Sequence, residues 1–190
     1  MHVVVGLGNP GKAYEMTRHN VGFLVVEALA KRHHGSFSKG KGQYLQSRIQ
    51  IDQAPVLLVK PTTFMNLSGV AVRQVLDYYH ITDLSRLLLI CDDFHLPFGT
   101  IRMRPSGSSG GQKGLLSVFD TLNTNQIARL RIGIGNGFRD ARSYVLSPFS
   151  REEQKHLPLI LEWAADAVES FVQEGIEKTM SRFNRNILAD

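Results

Sequence analysis

The sequence predicts an α/β protein: a single-domain, three-layer sandwich over residues 1–190, with a mixed, mostly parallel sheet and helices on both faces. Three observations predict it. Apolar runs of strand length recur at Val3–Leu7, Pro55–Val59, Leu87–Cys91 and Leu130–Ile134. Segments with helical spacing separate them and a helix closes the chain, the alternation by which parallel strands are connected. The length of 190 residues, with 43% hydrophobic and 21% charged residues, is that of an ordinary globular chain able to bury one substantial core.

Taken in order, the Val3–Leu7 strand leads to a helix that begins near Asn20, a good N-cap, and runs through "FLVVEALAKRHH" until Gly35 stops it. Tyr44–Ile51 mixes polar and apolar residues, as a half-exposed or edge strand does, and Pro55–Val59 follows. Val72, Val75, Leu76 and Tyr79 share one helix face. After Leu87–Cys91 comes a second mixed strand, Thr100–Arg104, and then a helix with Leu115, Val118, Phe119 and Leu122 on one face. Beyond Leu130–Ile134, Ser150 and Glu153 in "SPFSREEQ" form a capping box before a long helix. Its buried stripe is Leu157, Leu161, Ala164, Val168 and Phe171, and Pro158 in its early turns should bend or delay it. Gly175 separates it from a short basic tail, "IEKTMSRFNRN". There is no internal repeat, and "GSFSKGKGQ" and "RPSGSSGGQKG" read as loops.

Composition narrows the function classes. No apolar run approaches the ~20 residues of a membrane span, and the start lacks a charged n-region and a cleavage site, so a cytoplasmic location is the expectation. Cys91 is the only cysteine, which excludes an intrachain disulfide and a thiolate metal cluster; placed in a buried strand, it reads as an inert core thiol. The net charge of +5 is compatible with a polyanionic partner such as nucleic acid.

Gly6, Gly8 and Gly11 spell G-x-G-x-x-G after the first strand. A dinucleotide site needs its helix to begin within that turn, so that pyrophosphate meets free N–H groups. Here Pro10 occupies the turn, "KAYEMTRHN" intervenes before the helix, and no acidic residue ends a second strand at the required distance. The glycines therefore serve another purpose.

What the strand ends do offer is polar chemistry. Asn9 lies between glycines, His19-Asn20 stands at the lip of a helix, "PTTFMNLSG" presents Phe64 and Asn66, and "DDFHLP" presents Asp92, Asp93 and His95. Asn66 or Ser68 also reads as the N-cap of the helix that follows. A neutral His oriented by a buried carboxylate is the arrangement of a general base that takes a proton from water. Side-chain amides nearby can hold that water and donate to a developing oxyanion. Such a rim suits metal-free hydrolysis of an activated carbonyl. The rival reading is metal-assisted hydrolysis on Asp92, Asp93, His95 and His19.

"VGLGNPGKAYEMTRHNVG", "PTTFMNLSG", "DDFHLPFGTIRMR", "SGGQKGL" and "RLRIGIG" together resemble, in order and over essentially the full chain, the signature segments of bacterial-type peptidyl-tRNA hydrolases. The resemblance implies a phosphorylase/hydrolase-like sandwich that cleaves the ester between a peptide and the 3′ end of tRNA, recycling stalled peptidyl-tRNA as a monomer without a cofactor. By the same resemblance His19 is the general base, Asp92 keeps its imidazole basic, Asn9 recognises the N-acylated portion, and Tyr14, Phe64 and Asn66 line the site around the 3′ end and peptide. Asn66 also belongs, with His19, Asp92 and Asn9, to the residues assigned to the reaction itself.

The chain departs from the family pattern in places. Gln112-Lys113-Gly114 stands where His-Asn-Gly is common, Cys91 replaces a frequent His, and His95 replaces a frequent Asp. Lys113 cannot accept a hydrogen bond, though its ammonium can steady an oxyanion or a terminal phosphate. These changes touch the water-holding network and motivate a second rival, an RNA-binding protein without chemistry. Arg102 and Arg104, alternating on one strand face, join Lys113, Arg129 and Arg131 as the expected basic rim for tRNA phosphates. Lys178, Arg182 and Arg185 of the tail are either an extension of it or a solvated face.

Overall fold

In the computed structural model, which describes residues 1–189, the first apolar run forms strand β1 (His2–Gly6) and leads to helix α1 (Val21–Arg32). Strands β2 (Ser38–Lys39), β3 (Tyr44–Ile51) and β4 (Ala54–Pro61) follow, then α2 (Ser68–Tyr78), β5 (Leu87–Asp93) and β6 (Thr100–Arg104). The chain continues through α3 (Lys113–Leu122), β7 (Ala128–Gly133), α4 (Ala141–Val145), α5 (Arg151–Glu174), α6 (Ile176–Phe183) and β8 (Arg185–Asn186). One eight-stranded sheet results, in the order β2-β3-β4-β1-β5-β7-β6-β8. Its centre, β4-β1-β5-β7, is parallel, and the outer pairings are antiparallel. The β3–β4 hairpin turns on Asp52 and Gln53, both with positive φ, the backbone twist a two-residue hairpin requires.

Side chains alternate across the pleat; β1, β4 and β5 are apolar on both sides, and β7 is apolar on one. Val4, Leu58, Leu88, Ile90 and Leu130 face one core with Val25 and Leu29 of α1 and Ala164 and Val168 of α5. Val3, Val5, Leu57, Val59, Leu87 and Leu89 face the other, with Val72 and Val75 of α2 and Leu115 and Val118 of α3. The two cores make the three layers, as expected from the sequence.

The glycine motif is a packing device. A Cβ on Gly6 would lie 2.3 Å from the Gly22 carbonyl oxygen, and one on Gly8 would lie 2.8 Å from the Phe23 ring. A Cβ on Gly22 would meet the Ile90 carbonyl oxygen at 2.5 Å. Backbone of β1, α1 and β5 therefore touches directly, which draws the residues after β1 against those after β5.

Several local expectations are corrected. Asn20 caps nothing; its side chain is used elsewhere, as described below. His34, not Gly35, takes the left-handed conformation that ends α1 (φ 57°), and Gly35 N–H then closes on the Ala30 carbonyl at 2.7 Å. Neither Asn66 nor Ser68 caps α2: a turn over Met65–Leu67 precedes it, Ser68 Oγ donates to the Met65 carbonyl, and Asn66 is left exposed. The Ser150–Glu153 capping box forms as expected, and α5 runs unbroken through Pro158. Pro158 and Gln154 are both exposed, so the helix bond that Pro158 cannot make is given up on the solvent side of α5. Ile160 takes the buried place expected of Leu161, which is only partly covered. The basic tail packs onto the fold. Phe183 stacks on Trp163 with centroids 4.6 Å apart, Thr179 Oγ1 bonds Ser170 Oγ at 2.7 Å, and β8 extends the sheet beside β6. Arg182 pairs with Glu174 at 2.6 Å and Arg185 lies 4.6 Å over Trp163, while Lys178 is exposed.

Candidate active site

Parallel strands end at the same edge of a sheet, and β1 neighbours β4 on one side and β5 on the other. The chain leaves β1 for α1 on one face and β4 for α2 on the opposite face, so the loops diverge and open a crevice where ligands bind in α/β sheets. The crevice is a cleft of about 490 Å³ lined by Asn9, Tyr14, His19, Phe64, Asn66, Asp92, Lys113 and Arg131 among others. Most of the residues expected from the sequence are thus brought together.

Each is positioned by its backbone. Asn20 Oδ1 accepts from the Asn9 N–H at 2.9 Å, and Asn20 Nδ2 donates to the Asn9 carbonyl at 2.9 Å, a reciprocal clamp on one residue's backbone. The clamp explains why Asn20 does not cap α1. The Met65 N–H donates to Asn9 Oδ1 at 2.7 Å. A backbone N–H can only donate, so the contact fixes the amide orientation and leaves Asn9 Nδ2 as the donor for the cleft. Tyr14 and Phe64 meet edge to face, centroids 6.3 Å apart, and Phe64 remains half-exposed as an apolar wall.

His19 Nδ1 lies 2.9 Å from Asp92 Oδ2. Asp92 is 2% exposed and its other oxygen, Oδ1, accepts from Gln112 Nε2 at 3.0 Å. A carboxylate oxygen accepts, so the contact suits an imidazole that donates from Nδ1, which leaves the lone pair of a neutral ring on Nε2. Asp93 is occupied otherwise, accepting from the His95 N–H at 2.7 Å and facing Arg131 Nη1 at 3.5 Å. Cys91 forms part of the floor, but burial and the adjacent Asp92 push its thiol pKa up, which keeps it protonated and inert.

Not all expectations are met. His95 is exposed and outside the cleft, so the four groups of the metal reading do not converge. Among the described residues no three His, Cys, Asp or Glu side chains are grouped to hold an ion. Arg102 and Arg104 also lie outside the cleft. They pair across strands with Arg131 and Arg129, which places all four on one sheet face and carries positive charge outward from Arg131. Arg129 is removed from the expected rim, because it is fully buried. Its guanidinium donates to the carbonyls of Ile127, Ser108 and Asn125 at 2.9, 3.0 and 2.7 Å and sits 4.7 Å over Phe119. Burial, reinforced by Arg131, lowers its pKa to about 10, so it stays charged at neutral pH as an internal strap for the 108 loop. Arg131 Nη2 holds the same Ser108 carbonyl at 2.7 Å.

Sequence reasoning misses three contributors. In the sequence Gln112 reads only as a departure from a pattern. Arg142, in α4, lines the cleft and adds a cation. Arg18, beside His19, anchors the turn: it donates to the Pro148 carbonyl at 2.8 Å and to Glu153 Oε1 at 2.6 Å, bonds Ser147 Oγ, and lies 4.2 Å over the Tyr144 ring. Its adjacency to His19 in "TRHN" is the available signal. Arg18→Met removes a nearly buried cation from Glu153 and unties α4 and α5 from the turn; thermal unfolding is expected to show a loss of about 2–4 kcal/mol. An unchanged Tm would show that the turn is held by other contacts.

Comparison with known proteins identifies the family. Residues 3–189 match the sequence model of the family described as peptidyl-tRNA hydrolase. The chain is 42% identical to the peptidyl-tRNA hydrolase of Chlorobium chlorochromatii, over 99% of this chain and all of that protein. It is 45% identical to that of Carboxydothermus hydrogenoformans, over 97% of this chain and 99% of the relative. The crystal structure of peptidyl-tRNA hydrolase from Acinetobacter baumannii superposes with a TM-score of 0.92 at 32% identity, covering 100% of this chain and 97% of the other.

Proposed function

Because the chain belongs to the peptidyl-tRNA hydrolase family, we propose that it cleaves the peptide–tRNA ester without a metal, using His19 as general base oriented by Asp92. The observation that carries this reading is the 2.9 Å contact between His19 Nδ1 and Asp92 Oδ2 at the wall of the cleft. Water attacks the ester carbonyl carbon as His19 Nε2 takes its proton, and Asp92 stabilises the imidazolium that forms. The tetrahedral oxyanion is met by the amide of Asn66 and the ammonium of Lys113, both on the cleft wall. The bond to the tRNA 3′ oxygen then breaks, and His19 returns its proton to that oxygen. The products are the free peptide acid and tRNA with a 3′ hydroxyl.

Asn9 Nδ2 donates to the acylated amide of the substrate, a group that an unblocked aminoacyl-tRNA lacks. Tyr14 and Phe64 pack against the apolar parts of the substrate's end. Arg131, with Arg102 and Arg104 on the same sheet face, holds backbone phosphates without reading sequence. The reading extends to a monomer working in the cytoplasm. No helix among the described residues is long and apolar enough to cross a membrane.

The test is hydrolysis of N-acetyl-aminoacyl-tRNA beside its unblocked counterpart, with a chelator present. The blocked substrate is expected to be cleaved and the unblocked one spared, at rates indifferent to the chelator. Activity lost to the chelator and restored by a divalent ion would instead support metal-assisted hydrolysis. Asn9→Ala is expected to narrow the preference for the blocked substrate by about tenfold, the worth of one good hydrogen bond. Retained discrimination would remove Asn9 from recognition.

A further inference from the structure

We propose that Gln112 is a positioning residue for the hydrolysis, its side-chain amide fixing the Asp92 carboxylate and, through it, the nitrogen of His19 that carries the proton. The inference rests on the His19–Asp92 reading above and deepens it.

Gln112 stands at the N-cap of α3, where its Oε1 accepts from the Leu115 N–H at 2.8 Å. Short polar side chains are the usual caps, and a glutamine loses more rotamer freedom than they do in making the same bond. Its extra length is used. Because the Leu115 N–H can only donate, Oε1 is fixed against the helix and the amino group must turn the other way. There it donates to Asp92 Oδ1 at 3.0 Å and approaches Met65 Sδ at 3.5 Å. Gly114 gives it room: a Cβ there would lie 3.0 Å from Gln112 Oε1 and 2.6 Å from Met65 Sδ.

The consequence for Asp92 is specific. Its carboxylate is buried, and each oxygen has its own donor: Gln112 for Oδ1 and His19 for Oδ2. A buried carboxylate with one oxygen unsatisfied would rotate or draw in water, and the 2.9 Å bond to His19 would lose its direction. The amide is neutral and does not titrate in the working range. It therefore holds the carboxylate without neutralising the charge that stabilises the imidazolium. The helix N-terminus is thus linked through one side chain to the base.

Two variants separate this role from simple helix capping. Gln112→Ser keeps a cap but cannot reach Asp92. Its Tm is expected to fall by no more than the loss of one hydrogen bond to a buried carboxylate, while kcat for N-acetyl-aminoacyl-tRNA falls about ten- to a hundredfold with KM little changed. Gln112→Glu keeps the acceptor for Leu115 but turns a carboxyl toward Asp92. Asp92 and Asp93 oppose its ionisation, and Lys113, Arg131 and Arg142 around the cleft favour it. Protonated, the introduced carboxyl can donate as the amide does; ionised, it repels Asp92. The ratio of variant to wild-type rate is therefore expected to rise as pH falls. In an Asp92→Asn background, Gln112→Ser is expected to add no further loss, since both act through one carboxylate.

Wild-type kcat in Gln112→Ser, or a pH-independent ratio for Gln112→Glu, would overturn the role of Gln112 while Asp92→Asn remained impaired. If His19→Ala and Asp92→Asn themselves kept full activity, the underlying reading would fail instead. Should Gln112→Ser fold poorly, the pH dependence of Gln112→Glu decides alone.

Discussion

His19→Ala is expected to lower kcat for N-acetyl-aminoacyl-tRNA by about a thousandfold, the middle of the range for losing a general base. Without the imidazole, the attacking water keeps its proton until the tetrahedral intermediate has formed, and the leaving 3′ oxygen has no acid to protonate it. The fold should not suffer. The His19 side chain is at the cleft wall, 12% exposed, and its loss leaves Asp92 still held by Gln112. Single-turnover rates with saturating enzyme, alongside thermal unfolding, measure both quantities. A rate within about fivefold of wild type, less than one good hydrogen bond is worth, would remove His19 from the chemistry.

Asp92→Asn is expected to cost about two to four orders of magnitude in kcat, the range set by losing the orienting carboxylate of a histidine base. Two donors converge on the carboxylate, Gln112 Nε2 and His19 Nδ1, and asparagine has a single acceptor oxygen to offer them. If that oxygen takes Gln112, the asparagine amino group faces His19, and Nδ1 must become the acceptor. The proton then moves to Nε2, the nitrogen that has to receive one from water. Imidazole protonation is also weakened, because the compensating negative charge is gone. Pre-steady-state turnover of the two proteins, measured side by side, reads the loss. Unaltered turnover in Asp92→Asn would dissociate Asp92 from the reaction.

The strands are legible in the sequence because β1, β4 and β5 are apolar on both faces and β7 carries an apolar residue at every second position, patterns that survive without any tertiary context. The two-residue strands β2 and β8 carry no such pattern and exist only because a longer neighbour offers an open edge. Asn9, Asp92, Phe64 and Asn66 are legible because each follows an apolar run, where the loops of a parallel sheet gather, and His19 because it stands at the lip of the next helix. What stays hidden depends on contacts across long separations. Asn20 reads locally as a helix cap, and its competing use, the clamp on Asn9, appears only when β1 and α1 are folded together. Arg129 and Arg131 are two residues apart on one strand face, yet one is internal and the other reaches the cleft. That difference comes from the carbonyls of Ile127 and Asn125 and the Phe119 ring closing over Arg129. Gln112 likewise looks like a substitution until the N-terminus of α3 is seen beside the end of β5.

The claim on which the chemistry rests is that His19 carries its proton on Nδ1 and offers Nε2 to water. Long-range 1H–15N correlation of the histidine rings, with the His19 signals identified by their absence in His19→Ala, reads this directly. With the ring neutral, the Nδ1–H tautomer is expected, converting toward Nε2–H in Asp92→Asn. A wild-type ring protonated on Nε2, or one whose signals ignore Asp92→Asn, would contradict it.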